Sequence, residues 1–164
     1  MENYIVINGR KAELTEEQLK ALGIEIKKKS LFDRAKKGER YHFINWSGNV
    51  NTDTEMGSDG DDRIFNVANY CTDKELLQQQ AYREILNRLL WRYSMEHDGD
   101  KIDWNSDNLK FFIYRCIKKE RFDVDYQVSW KLGGVVYFHT RETAENAIEE
   151  IIEPFMAEHP DFKW

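Results

Sequence analysis

The stretch from Asp73 to His97 constrains this chain more than any other. Leu77, Ala81, Ile85, Leu89 and Tyr93 recur every four residues with Leu76, Leu86 and Leu90 beside them, giving a wide apolar face of period near 3.6. At 1.5 Å per residue such a helix spans about 37 Å, enough to cross a small domain. The remaining elements must therefore pack around a central spine. Broad apolar faces on long helices also make dimers, so a homodimer is compatible with this one.

On either side of the spine the apolar period changes to two. "YIVINGRKAEL" alternates around Asn8-Gly9, a hairpin signal because both turn positions need positive φ. In "TEEQLKALGI", Thr15 and Gln18 form a capping box, Leu14 and Leu19 a hydrophobic staple, and Gly23 a stop, which predicts a short helix. "RYHFINWSGNV" reads as a strand entering a Ser47-Gly48 turn. "IFNVANYC" reads as its return strand, ending at a second capping box of Thr72 and Glu75. "LKFFIYRCI", "RFDVDYQVSW" and "GVVYFHT" predict three more strands. Thr140 then caps "RETAENAIEEIIEPFM", which Pro154 should kink or restart. The likeness of "NYCTDKELL" to "VYFHTRETA" suggests a strand, a Thr cap and a helix used twice.

Hairpins alternating with helices imply an α+β fold: an antiparallel sheet with about three helices packed on it, one of them long and central. At 164 residues the chain suits a single domain over residues 1–164, with a small ββα subunit at residues 1–30.

No apolar run approaches the roughly 20 residues that cross a bilayer, and "MENYIVINGR" lacks the basic and apolar regions of a secretion signal, so a soluble, non-secreted chain is expected. Two cysteines are too few for a disulfide framework, which points to a reducing cytoplasm. The net charge of −6 is unevenly spread: residues 1–40 carry ten Lys/Arg against seven Asp/Glu, and the rest fourteen against twenty-three. Such polarity favours a charged partner.

The candidate sites follow from that charge. "NTDTEMGSDGDD" holds Asp53, Glu55, Asp59, Asp61 and Asp62 with no basic residue among them. Placing Gly60 sixth in a calcium loop puts Gly57 at position three and Asn66 at position twelve, so the EF-hand register fails. A solvated hairpin tip, a looser cation site, or a decoy for a basic groove that binds nucleic acid remain. The last helix adds Glu142, Glu145, Glu149, Glu150, Glu153, Glu158 and Asp161 with no Lys or Arg between them. The lack of i,i+4 lysine partners is unusual for a surface tuned only for stability.

The other candidates are weaker. "MEHDGDKIDWNSDN" carries Asp98, Asp100, Asp103 and Asp107, a pattern that can serve a metal-dependent enzyme, but it also reads as a helix exit with Asx turns and Trp104 plugging the core. Asp123 and Asp125 share a strand face without the E-x-K of nuclease metal sites, and the four histidines lack zinc spacing. The basic segment from Lys27 through Lys28, Lys29, Arg34, Lys36 and Lys37 to Arg40 could take phosphates as a nucleic-acid or nucleotide binding module, be a connector kept soluble, or serve as the counter-surface for the acidic half of the same chain. "KFFIYR" has the aromatics of an RNA-recognition strand without its glycine. No motif calls for a cofactor, a resident metal or a catalytic residue.

With these residues laid out, the chain resembles a group of small acidic proteins carried by phages and prophages of Gram-positive gut bacteria. The resemblance rests on "AELTEEQLKALGI", "KKGERYHFI", "FNVANYCT", "DKIDW", "VVYFHT" and "EEIIEPFMAEHPDFKW", and covers nearly the whole chain. It carries no catalytic signature. It implies a stoichiometric binder in the bacterial cytoplasm, such as an inhibitor of CRISPR nucleases or of other defence proteins that handle nucleic acid. On that reading the partner is a host or phage protein with a basic groove. The residues expected to meet it are Asp53, Glu55, Asp59, Asp61 and Asp62, with Glu145, Glu149 and Glu153.

Overall fold

The computed structural model describes residues 4–7, 10–13, 15–23, 30–97 and 99–164. The fold is α+β, and the chain divides into two compact units, residues 1–33 and 34–164. In the first unit, β1 (Tyr4–Ile7) pairs antiparallel with β2 (Arg10–Glu13), Ile7 opposite Arg10. That register leaves two residues for the connection; the Asn8-Gly9 turn itself, like Leu14 of the expected staple, lies outside the described residues. α1 (Glu16–Ala21) opens on the expected capping box: the Gln18 amide donates to Thr15 Oγ1 at 3.3 Å and the Thr15 amide to Gln18 Oε1 at 2.9 Å. Gly23 follows at φ +70°, the left-handed stop that glycine adopts without strain.

The second unit is organised around α3 (Lys74–Glu96), 23 residues long. Leu77, Ala81, Leu86, Leu90 and Tyr93 are buried, whereas Leu76 is 43% exposed, so the apolar face is narrower at its start than the sequence suggests. The helix begins one residue later than expected. Asp73, not Thr72, is the cap, its carboxylate accepting from the Leu76 amide at 2.9 Å. An ionised carboxylate there also faces the positive end of the helix dipole, which a threonine cannot exploit.

Against α3 packs a three-stranded antiparallel sheet in the order β6 (Arg121–Gln127), β5 (Lys110–Cys116), β7 (Tyr137–Phe138). The closing helix is capped by Thr140, whose hydroxyl accepts from the Thr143 amide at 3.1 Å. It runs as α4 (Arg141–Ala147), a π-helical turn over Ile148–Ile152, and α5 (Glu153–Glu158). Pro154 explains the break. It has no N–H to continue the ladder, and the Glu153 amide reaches back five residues to the Ile148 carbonyl. Leu86, Leu90, Ile113, Val124, Phe138, Ile152 and Phe155 form the main core, with Ala144 and Ala147 fully buried between the helices. Their methyl side chains let α4 approach α3 closely. The tail is clamped on α3 by Gln79, which donates to the Asp161 carbonyl at 2.9 Å and accepts from the Lys163 amide at 2.7 Å.

The antiparallel ladders do not merge into one sheet. β3 (Arg40–Ile44) and β4 (Val50–Thr54) form a separate hairpin. Its return strand is the start of the acidic stretch, not "IFNVANYC", because the turn ends at Asn49 and pairing begins at once with Val50 opposite Ile44. Of the residues expected as a strand, Ile64, Phe65 and Asn66 close α2 (Asp59–Asn66), residues 67–70 form a turn and an irregular stretch, and only Cys71 bridges back to His42. The signal for that helix is a capping box at Ser58 and Asp61. The hairpin tip rests on α3: a Cβ on Gly48, at φ +88°, would stand 3.1 Å from Ile85.

Candidate functional site

The acidic stretch is for the most part internal structure. Glu55, at the end of β4, is 3% exposed, and Asp61, in the first turn of α2, is 4% exposed. Both oxygens of Glu55 are taken: Oε1 accepts from Arg34 Nη2 (2.9 Å) and the Gly57 amide (2.8 Å), Oε2 from Arg34 Nε (3.0 Å) and the Tyr70 hydroxyl (3.0 Å). The fork of Arg34 matches the carboxylate bidentately, which makes this a strong, oriented pair. Arg34 also reaches Asp62, Nη1 to Oδ1 at 2.6 Å, and its guanidinium lies over the Phe65 ring. Hydrogen bonding to Arg34 holds the Glu55 carboxyl below its ordinary range, and the same bonds raise the guanidinium.

Asp61 is satisfied differently. Its Oδ2 accepts from the Met56 and Ser58 amides and the Ser58 hydroxyl, and its Oδ1 from the Tyr41 hydroxyl at 2.7 Å. The Ser58 amide, followed by the Tyr41 phenol, keeps this carboxyl well below the carboxylate range. Tyr41 and Tyr70, which donate to the two acids, stack on each other at 4.2 Å between ring centroids, and burial pushes both phenols up, Tyr70 to about 12.

Glu55 and Asp61 therefore leave the set of partner-facing residues, because a buried carboxylate with four donors has nothing left for a second macromolecule. Asp62 is half exposed and already paired. Asp53 and Asp59 remain on the surface, Asp53 accepting from the Thr54 amide beside it at 2.7 Å. The counterion came from the basic segment, whose reading as a counter-surface for the chain's own acids holds at Arg34. Lys36, Lys37 and Arg40 are exposed, and Lys27, Lys28 and Lys29 lie outside the described residues.

The arm formed by α4, the π turn and α5 is another matter. Glu142, Glu145, Glu149, Glu150, Glu153, Glu158 and Asp161 are all exposed. Glu145 contacts Arg141 at 3.3 Å, and burial together with the nearby Glu150 carboxylate raises the Tyr93 phenol. Glu149, Glu153 and Glu158 have no cationic partner among the described residues. Spaced three to four residues apart, Glu142, Glu145, Glu149 and Glu153 fall on one side of the arm.

The remaining sequence candidates do not assemble. Asp98 lies outside the described residues, and Asp100, Asp103 and Asp107 are exposed, Asp103 accepting from the Asn105 amide as an Asx turn does. Trp104 packs edge-on against Tyr137. Asp123 is engaged by the Val124 amide, Arg121 and Lys119. Phe111 and Phe112 of β5 are half-buried against Tyr126 and Tyr137. No three His, Cys, Asp or Glu side chains among the described residues are placed to hold a metal ion, and no described helix is long and apolar enough to cross a membrane.

One surface has no counterpart in the sequence reading. Trp46, on the β3–β4 turn, is 96% exposed and Trp91, on α3, 60%. With Arg88 and Arg92 they line one concavity of about 410 Å³. Its signal was present in the spine: Trp91 falls outside the apolar stripe, between two arginines.

No family model matches the chain, and no curated protein or solved structure matches it.

Proposed function

We propose that the protein is a non-enzymatic binding protein that occupies the basic groove of a host or phage protein, a nuclease or another defence protein that handles nucleic acid. It does so with the acidic side of α4, the π turn and α5, as the likeness to small acidic phage proteins leads one to expect. The observation that carries this reading is the exposure of Glu149, Glu153 and Glu158 without any cationic partner on the described chain. Mutual repulsion of such groups costs little in water, and it turns into favourable contact against Lys and Arg. Asp53 and Asp59 are a secondary set on the hairpin and α2.

The test is affinity capture from a bacterial lysate containing a defence system, at low and high salt. The wild-type bait should retain a basic protein at low salt and release it at high salt. The variant Glu149→Gln/Glu153→Gln/Glu158→Gln should lose it, while Asp53→Asn/Asp59→Asn should retain most of it. Capture by the triple variant with an unchanged salt profile would sink the assignment to this arm.

A further inference from the structure

α3 turns a second chemical face to solvent. Arg88 and Arg92 stand one turn apart, about 6 Å along the axis, with Trp91 beside them and Trp46 opposite on the hairpin turn. Other large apolar side chains are exposed as well, Ile117 at 86% and Val67 at 72% among them, but these two indoles share one concavity with two arginines. Arg88 has no carboxylate partner among the described residues. Arg92 meets only Glu96, at 3.9 Å with both side chains more than 60% exposed, a contact weak enough to exchange. A second concavity of similar size abuts the first, sharing Arg88 and Trp91 and adding Met95 and Lys131. Trp104 also lines it, but its ring is already covered by Lys131 at 5.2 Å and Lys110 at 5.7 Å, so the free stacking surfaces are Trp46 and Trp91.

We infer that this face binds single-stranded nucleic acid, unpaired bases stacking on Trp46 and Trp91 while Arg88 and Arg92 meet the adjoining phosphates. Flat π surfaces interleaved with guanidinium groups that are free or only loosely held are the chemistry of a base-plus-phosphate ligand. A duplex keeps its bases stacked inside and offers these indoles nothing. The net charge of −6 sets the long-range field against a polyanion, so the contact is local and depends on stacking. This site is separate from the acidic arm, and neither inference needs the other.

The experiment is fluorescence anisotropy of a labelled oligothymidylate of about 20 nucleotides, titrated with the full chain over a range of salt, beside a duplex of the same length. Wild type should bind the single strand in preference to the duplex. Trp46→Ala and Trp91→Ala should each weaken binding roughly 5- to 100-fold, the loss of one stacked base. Arg88→Gln/Arg92→Gln should lower the slope of log affinity against log salt by about 1.4, two phosphate contacts fewer. Trp46 is almost wholly exposed, so its variant tests the site without endangering the fold. Equal affinity for duplex, no binding at low salt, or indifference to Trp46→Ala and Trp91→Ala would each overturn the assignment. So would self-association in sedimentation, abolished by the arginine variant without oligonucleotide binding, which would make a second copy the occupant.

Discussion

Leu86 and Leu76 lie on the same helix, ten residues apart, and the structure sets them in opposite environments: 1% and 43% exposed. Leu86→Ala removes the equivalent of three methylenes from water-free packing, about 2.5 kcal/mol at about 0.8 kcal/mol each. Leu86 belongs to a closely filled core that also holds Ala144 and Ala147, so a cavity remains and the total rises to about 3–4 kcal/mol. Leu76→Ala should cost under about 0.5 kcal/mol, because leucine and alanine have similar helix propensities and little buried area is lost. Urea unfolding followed by far-ultraviolet circular dichroism measures both, with equal m-values required for the comparison. The reasoning fails if the two variants lose the same stability, or if Leu86→Ala loses less than about 1 kcal/mol. That result would mean α3 buries a different face.

Thr140→Ala should cost about 1 kcal/mol in the same assay, the loss of an N-cap. Gly48→Ala should destabilise the β3–β4 turn through both its φ of +88° and the Ile85 contact, visible as a lowered midpoint in thermal unfolding. Acid should act through Glu55 and Asp61: their carboxyls are depressed in the folded state, so their stabilisation is full above the ordinary carboxylate range near pH 4 and fades as pH falls below it. Arg34→Gln should flatten that acid limb, and an unaltered limb would contradict the Arg34–Glu55 assignment. Alkali acts oppositely on Tyr41 and Tyr70. Raised phenols stabilise below about pH 10 and cease to do so as pH climbs through about 12, a loss that Tyr70→Phe should reduce in denaturation measured against pH.

Elements with a strong local signature were legible in the sequence. The spine, the Thr15 and Thr140 caps, the break at Pro154 and the three strands of the main sheet all rest on periodicity or on contacts within four residues. What the sequence hid depends on long-range pairing. The acidic stretch looked unneutralised because its counterion, Arg34, stands 21 residues before Glu55, and nothing local announces that partnership. "IFNVANYC" has the composition of a strand, but β4 had already taken the place beside β3 and the Ser58–Asp61 box drew its first three residues into α2. Trp91 stands on the spine and Trp46 in "RYHFINWSGNV", 45 residues earlier, with nothing local to link them; only folding brings the two rings to one concavity. Of the eight acids singled out from sequence, the arm residues Glu149 and Glu153 kept their freedom, since an uninterrupted run of acids on one amphipathic helix has no nearby base to meet.

The clasp around Glu55 bears on how this chain can be cut and recombined. Arg34, the first residue of the second unit, finds Glu55, Asp62 and Phe65 inside that same unit, and Tyr70 completes the closure there. A fragment begun just before Arg34 would carry every atom of its own latch within its 131 residues.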